Sequence, residues 1–224
     1  MEEPLTIEVE ESGQVGALLI RPKKPSACFV FAHGAGAGMR HAFMTAVAGA
    51  LHDRGVATLR YQFPYMERGS RRPDSPKVAH AAVRAAVAHA ARKCPGVPIV
   101  AGGKSFGGRM TSQAQAASPI HGVRGLAFLG FPLHPAGKPS IDRADHLFEV
   151  AVPMLFLQGT LDKLADQDLL VPLVSKLGAR ASLHLFPEAD HSLHVPARSG
   201  RKDADVITEA ADVFVRWCGR VAAV

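Results

Sequence analysis

Short apolar runs alternate with longer, alanine-rich stretches along almost the whole chain, and no other feature narrows the possible folds as much. Residues 15–20, 27–32, 56–61, 99–102, 125–129, 154–158 and 182–186 read as strands, with an extra edge strand expected near 6–10. Residues 41–54, 75–93, 106–118, 167–177 and 203–220 read as helices. Strands separated by helices build βαβ units, so the expected architecture is an α/β three-layer sandwich, a mostly parallel twisted sheet with helices on both faces. One helix carries plain boundary signals: Ser75-Pro76 sets proline in its first turn, and Cys94-Pro95-Gly96 stops it. Within it Ala79, Ala82, Val83, Ala86, Val87 and Ala90 recur at helical spacing and read as a face packed on the sheet. Loops are short except at 64–73 and 132–152, so one domain spanning 1–224 is expected.

Composition removes several classes. With 47% hydrophobic and 21% charged residues, the chain supports a sizeable core rather than disorder. Its apolar runs are far shorter than the roughly 20 residues that cross a bilayer, so no membrane span is expected. The acidic start Met1-Glu2-Glu3-Pro4 is unlike a secretory signal, which makes a cytoplasmic location the simplest expectation. Cys28, Cys94 and Cys218 lie far apart, which suggests buried thiols rather than a disulfide framework or zinc site. The net charge of +6 is spread along the chain, so nucleic acid is not an expected partner.

The sharpest local signal is an apolar strand running into Gly103-Lys104-Ser105-Phe106-Gly107 and then into a helical pattern. This is a GxSxG elbow in its strand–turn–helix setting, where flanking glycines relieve crowding and the serine hydroxyl is raised at the carboxyl edge of the sheet. A serine nucleophile needs a base to take its proton and an acid to orient that base. The strand at 154–158 leads directly to Asp162, and the strand at 182–186 leads to His191, giving the order Ser105, Asp162, His191. Among competitors, Asp166 is better placed as a helix N-cap, Asp168 falls in that helix's first turn, His184 lies inside a strand, and His194 decorates the loop after His191.

Acyl chemistry also needs backbone donors for a developing oxyanion. One is expected from Phe106, after the nucleophile; the other from Ala35, with Gly36 in reserve, in His33-Gly34-Ala35-Gly36-Ala37-Gly38. That loop lacks the GxGxxG spacing of a dinucleotide site. Gly36, Tyr65, Met66, Lys104 and Arg109 are candidate substrate contacts, although Tyr65 and Met66 equally suit plain packing. Lys104 and Arg109, together with Arg68, Arg71 and Arg72, would favour a substrate bearing carboxylate or phosphate, unless the arginines form only a solvated loop.

These motifs, in this order, resemble the α/β-hydrolase superfamily, near its dienelactone-hydrolase-like members, over nearly the whole chain. More narrowly, Arg60-Tyr61-Gln62-Phe63-Pro64-Tyr65-Met66-Glu67 and Phe131-Pro132-Leu133-His134-Pro135-Ala136-Gly137-Lys138-Pro139 look like segments of the small-hydrolase family named for a testis-expressed protein and a subunit of the non-specific-lethal acetyltransferase complex. The resemblance implies a cap-poor fold with an open, shallow pocket, because 132–152 has room only for a small covering segment. Dienelactone hydrolases carry cysteine where this chain has Ser105, so their lactone substrate is not implied. The expected activity is carboxylesterase-like serine hydrolysis of a small acyl substrate, possible without metal or organic cofactor. Its rivals are a non-catalytic module binding an acidic protein through 64–73, and a metal hydrolase, for which His33, His184, His191 and His194 lack ligand spacing.

Overall fold

A computed structural model describes residues 2–221. Strands β1 (Glu2–Val9) and β2 (Gly13–Ile20) form a hairpin whose turn holds Glu11 at φ 60° and Gly13 at φ 79°. The edge strand starts well before the expected residue 6, because pairing from Glu2↔Ile20 to Val9↔Gly13 uses the full length of β2. Its polar, solvent-facing residues hide that pairing from a hydrophobicity pattern. The remaining strands are β3 (Ala27–Ala32), β4 (Val56–Tyr61), β5 (Ile99–Lys104), β6 (Val123–Leu129), β7 (Met154–Gly159) and β8 (Ala181–Phe186). They complete one sheet in the order β1-β2-β4-β3-β5-β6-β7-β8, antiparallel through β1, β2 and β4 and parallel thereafter. Every residue of β3, β4, β5 and β7 is buried, which explains why these strands read as unbroken apolar runs.

Helices α1 (Ala42–His52), α2 (Pro64–Glu67), α3 (Pro76–Lys93), α4 (Phe106–Ala117), α5 (Gln167–Leu177) and α6 (Asp203–Val221) pack around the sheet. Met44, Val47 and Leu51 of α1 join Val206, Ala210 and Phe214 of α6 on one face. Helices α3, α4 and α5 cover the other. The buried face of α3 consists of the six residues assigned from spacing. His41 caps α1, its Nδ1 accepting the Phe43 N–H at 3.2 Å, whereas Ser75 occupies the α3 cap position without a side-chain bond.

The two long loops carry structure that the sequence pattern concealed. Residues 64–73 include the single turn α2, and 132–152 include a 3₁₀ segment, Asp142–Glu149, that buries Ala144 and Leu147. Ser112 of α4 and His146 of that segment hydrogen-bond at 2.8 Å, and Arg180 donates to the Val150 carbonyl at 2.6 Å. The segment is therefore fastened along the flank of α4.

Where β5 turns into α4 the backbones nearly touch. A Cβ on Gly103 would stand 2.4 Å from the Ala32 carbonyl oxygen, and one on Gly107 would stand 2.6 Å from the carbonyl oxygens of Ala32 and His33. Backbone cannot retreat as a flexible side chain can, so Gly107→Ala is expected to lower the unfolding free energy by about 3 kcal/mol in guanidinium denaturation. Gly49→Ala, in the open middle of α1, should instead be neutral or stabilising by up to about 1 kcal/mol. Equal stability of the two variants would contradict the packing argument.

Candidate active site

Strand β5 delivers Ser105 to the carboxyl edge of the sheet, and Ser105 takes φ 50°, ψ −116° between strand and helix. A non-glycine residue at positive φ costs on the order of 1–3 kcal/mol and persists only where its surroundings enforce it. Here the Ser105 N–H donates to the Leu129 carbonyl at 3.2 Å, while its own carbonyl accepts from the Arg109 N–H at 3.1 Å. The strained turn is thus anchored on both sides.

Ser105 Oγ lies 2.8 Å from His191 Nε2, and His191 Nδ1 lies 2.7 Å from Asp162 Oδ2. The Asp162 carboxylate is fully buried and accepts the Leu164 N–H at 2.8 Å on Oδ1 and the Gln158 amide on Oδ2. A carboxylate only accepts, so Nδ1 must carry the imidazole proton and Nε2 is left to accept the serine hydroxyl. The acid and histidine loops meet because Gly159 has no side chain: a Cβ there would sit 2.2 Å from the Ala189 carbonyl oxygen. The competing residues go elsewhere. Asp166 caps α5, His184 pairs with Glu209 at 2.7 Å, and His194 pairs with Asp203 at 2.9 Å.

The loop after β3 passes against Ser105, with a Cβ on Gly34 falling 3.8 Å from Ser105 Cβ. Among the described residues, no hydrogen bond engages the N–H groups of Ala35 or Phe106. Gly36, the reserve donor, is committed: its N–H donates to the Tyr65 hydroxyl at 2.9 Å. Beneath the loop, buried His33 accepts the Phe63 N–H on Nε2 at 3.1 Å, so its Nδ1 carries the proton and donates to the Gly34 carbonyl at 2.8 Å. Burial lowers the His33 pKa to about 4, keeping the ring neutral.

Ser105 and His191 open into a cavity of about 570 Å³ walled by Ala35, Ala37, α1, Leu164, the 191–194 loop and Ile207. No residue of 132–152 lines it, so that segment is no cap. Lys104 does line it. Its ammonium donates to the His191 backbone carbonyl and lies 5.6 Å from the Phe43 ring centroid, and burial lowers its pKa to about 8. This lysine clips the His191 loop to the Ser105 turn.

Gly36, Tyr65, Met66 and Arg109, expected as substrate contacts, do not line this cavity. Tyr65 is buried behind the Gly36 loop, and the Met66 Cε lies 3.4 Å from where a Gly38 Cβ would be. Arg109 is half-buried on the far side of α4, near Arg143 and His146. Of the arginines in 64–73, Arg68 is paired with Asp74 at 2.7 Å, and Arg71 and Arg72 are exposed and also absent from the lining. The supporting roles of His33 and Gln158 were missed. Gln158 carried a usable signal, a lone amide ending the apolar run Met154-Leu155-Phe156-Leu157. Among the described residues, no three His, Cys, Asp or Glu side chains converge as a metal-ligand set, and no helix is long and apolar enough to cross a membrane.

A mostly parallel sheet with helices on both faces, a serine at its central strand-to-helix turn, and an acid and a histidine on later loops together define the α/β-hydrolase fold. The chain belongs to the alpha/beta hydrolase domain family, whose model matches residues 25–219. It superimposes on a serine hydrolase without lid from Xanthomonas campestris with a TM-score of 0.74 at 20% identity, covering 96% of this chain and 94% of the other. Dienelactone hydrolase from Anabaena variabilis gives 0.74 at 20% identity, covering 96% and 97%. Est1E from Butyrivibrio proteoclasticus gives 0.70 at 18% identity, covering 96% and 98%. At these identities the likeness is one of fold.

Because His33 titrates at about 4 when folded and near 6.5 when unfolded, the unfolded chain takes up its proton first on acidification. The stabilising contribution is complete above pH 6.5 and is lost as pH falls from 6.5 toward 4. Melting temperatures at pH 7 and pH 5 should therefore differ less for His33→Gln than for the parent protein. An undiminished difference would contradict a neutral, buried His33.

Proposed function

We propose that this protein is a serine hydrolase that cleaves an ester or related acyl bond of a small molecule through an acyl-enzyme. The observation that carries the reading is the unbroken hydrogen-bonded chain Ser105–His191–Asp162 beside two uncommitted backbone N–H groups. In this reading His191 Nε2 takes the Ser105 proton as Oγ bonds to the substrate carbonyl carbon. The carbonyl oxygen becomes an oxyanion held by the N–H groups of Ala35 and Phe106, with the N-terminus of α4 adding favourable potential. Collapse expels the leaving group, which receives the proton from His191. Water then enters, gives a proton to His191 and adds to the acyl carbon; collapse releases the carboxylic acid and returns the proton to Ser105. Asp162 stays ionised throughout and stabilises the imidazolium.

Carboxylesterase-like specificity is the form of the activity we favour, supported by the open cavity at Ser105 and His191. We also propose that the chain is a relative of the testis-expressed and non-specific-lethal-subunit group, on the likeness of two segments. These segments, 60–67 and 131–139, brace the site from behind: Tyr65 holds the Gly36 loop, and His134 Nε2 accepts the Asp166 N–H at 2.9 Å beside the acid loop.

Purified protein should hydrolyse short p-nitrophenyl esters, and Ser105→Ala should lower kcat/KM by at least about a thousand-fold. Equal rates in the two proteins would refute the nucleophile assignment. No hydrolysis at all, with no Ser105-dependent fluorophosphonate labelling, would favour the non-catalytic module.

A further inference from the structure

The cavity above Ser105 has a lopsided chemistry. Its floor holds the groups of the proposed reaction, whereas its walls are largely apolar: Ala42, Phe43 and Ala46 of α1 face Leu164, Leu193 and Ile207. Ala42 and Ala46, one helical turn apart, are both exposed on the same side of α1, and Phe43 and Ile207 are only partly covered. Three polar side chains of the rim are already engaged. His41 caps α1, His194 is paired with Asp203, and the Lys104 ammonium is bonded to the His191 carbonyl against the Phe43 ring. The Asp203 carboxylate at the mouth is paired with His194 and accepts the Val195 N–H, so it offers an anionic substrate tail no partner.

We infer that this cavity is an acyl-chain site selecting a neutral alkyl acyl group, which lies from Ser105 between the first turns of α1 and α6. The inference rests on the hydrolase reading and adds the substrate class. Three observations point the same way. The volume, about 570 Å³, is in the range of small-molecule sites. The two alanines of α1 lower one wall and so leave room for length. A carboxylate at the chain end would lose its water beside Phe43, Ala46 and Ile207 without gaining a free cation, which is costly. The expectation from sequence of an anionic substrate relied on Lys104 and Arg109 and on Arg68, Arg71 and Arg72; of these, among the described residues, Lys104 alone lines the cavity, and its ammonium is bonded to the His191 carbonyl.

The test is a series of p-nitrophenyl esters from acetate through butyrate, hexanoate, octanoate and decanoate, with the mono-p-nitrophenyl ester of adipic acid as the charged counterpart of hexanoate. Active-site titration with a fluorophosphonate normalises every rate to competent Ser105. kcat/KM should rise up to about four-fold per methylene, the ratio given by about 0.8 kcal/mol per buried CH₂, until the cavity is filled. Hexanoate should exceed acetate by about 10²-fold, and it should exceed adipate at both low and high salt. Ala46→Trp fills the groove from an exposed helix position, where the fold should tolerate it, and should cut the octanoate-to-acetate ratio at least ten-fold. Ala88→Trp at an exposed position of α3, outside the cavity lining, should leave that ratio as it is.

A flat chain-length profile, a preference for adipate, or an Ala46→Trp ratio equal to the parent's would overturn the inference while acetate hydrolysis and Ser105 labelling kept the hydrolase reading intact. Failure of every ester together with absent labelling would overturn both.

Discussion

The strained turn at Ser105 is the constraint around which the rest is arranged. A serine at φ 50° does not hold that conformation alone, and the protein enforces it with a central strand buried along its whole length and a helix pressed against the neighbouring strand through glycines. The same crowding that makes the turn rigid aims the hydroxyl out of the sheet. Relaxing it would move the nucleophile relative to an imidazole that is itself fixed from a different loop, and hydrogen-bond geometry tolerates little displacement.

Each group of the proposed reaction is held by residues that take no part in it. Gln158 and the Leu164 N–H fix the acid, Lys104 fixes the backbone of the histidine loop, and His33 with Tyr65 fixes the loop that presents Ala35. These supports are buried side chains hydrogen-bonded to backbone, so each couples a flexible loop to the rigid sheet. Preorganised donors do not have to reorient as charge develops, which is where most of their catalytic value lies. The open cavity follows from the same economy: the segment that could have formed a cap is bound along α4, leaving the reacting groups under a shallow apolar groove.

Much of this was legible in the sequence because periodicity and turn chemistry are local. The parallel strands, the buried face of α3, the Asp166 cap, and the order of Ser105, Asp162 and His191 after successive strands could all be read from neighbours in the chain. What escaped depended on partners distant in sequence. Tyr65 and Met66 looked like pocket residues because aromatic and thioether groups suit both packing and binding, and only the fold puts them behind the Gly36 loop. Arg109 lies four residues from Ser105, one helical turn, yet it is spent beside Arg143 and His146 of the 3₁₀ segment and does not line the cavity. Likewise, β1 began early because its pairing with β2, not its own hydrophobicity, sets its length.

The central claim is that Ser105 attacks an acyl carbon whose oxygen is received by the backbone of Ala35 and Phe106. A crystal structure of the protein after reaction with an alkyl fluorophosphonate tests it most directly, since the phosphonyl group mimics the tetrahedral intermediate. The account predicts phosphorus bonded to Ser105 Oγ, its phosphoryl oxygen within hydrogen-bond distance of both N–H groups, and the alkyl chain along α1. An adduct on another residue, or a phosphoryl oxygen turned away from both amides, would contradict it.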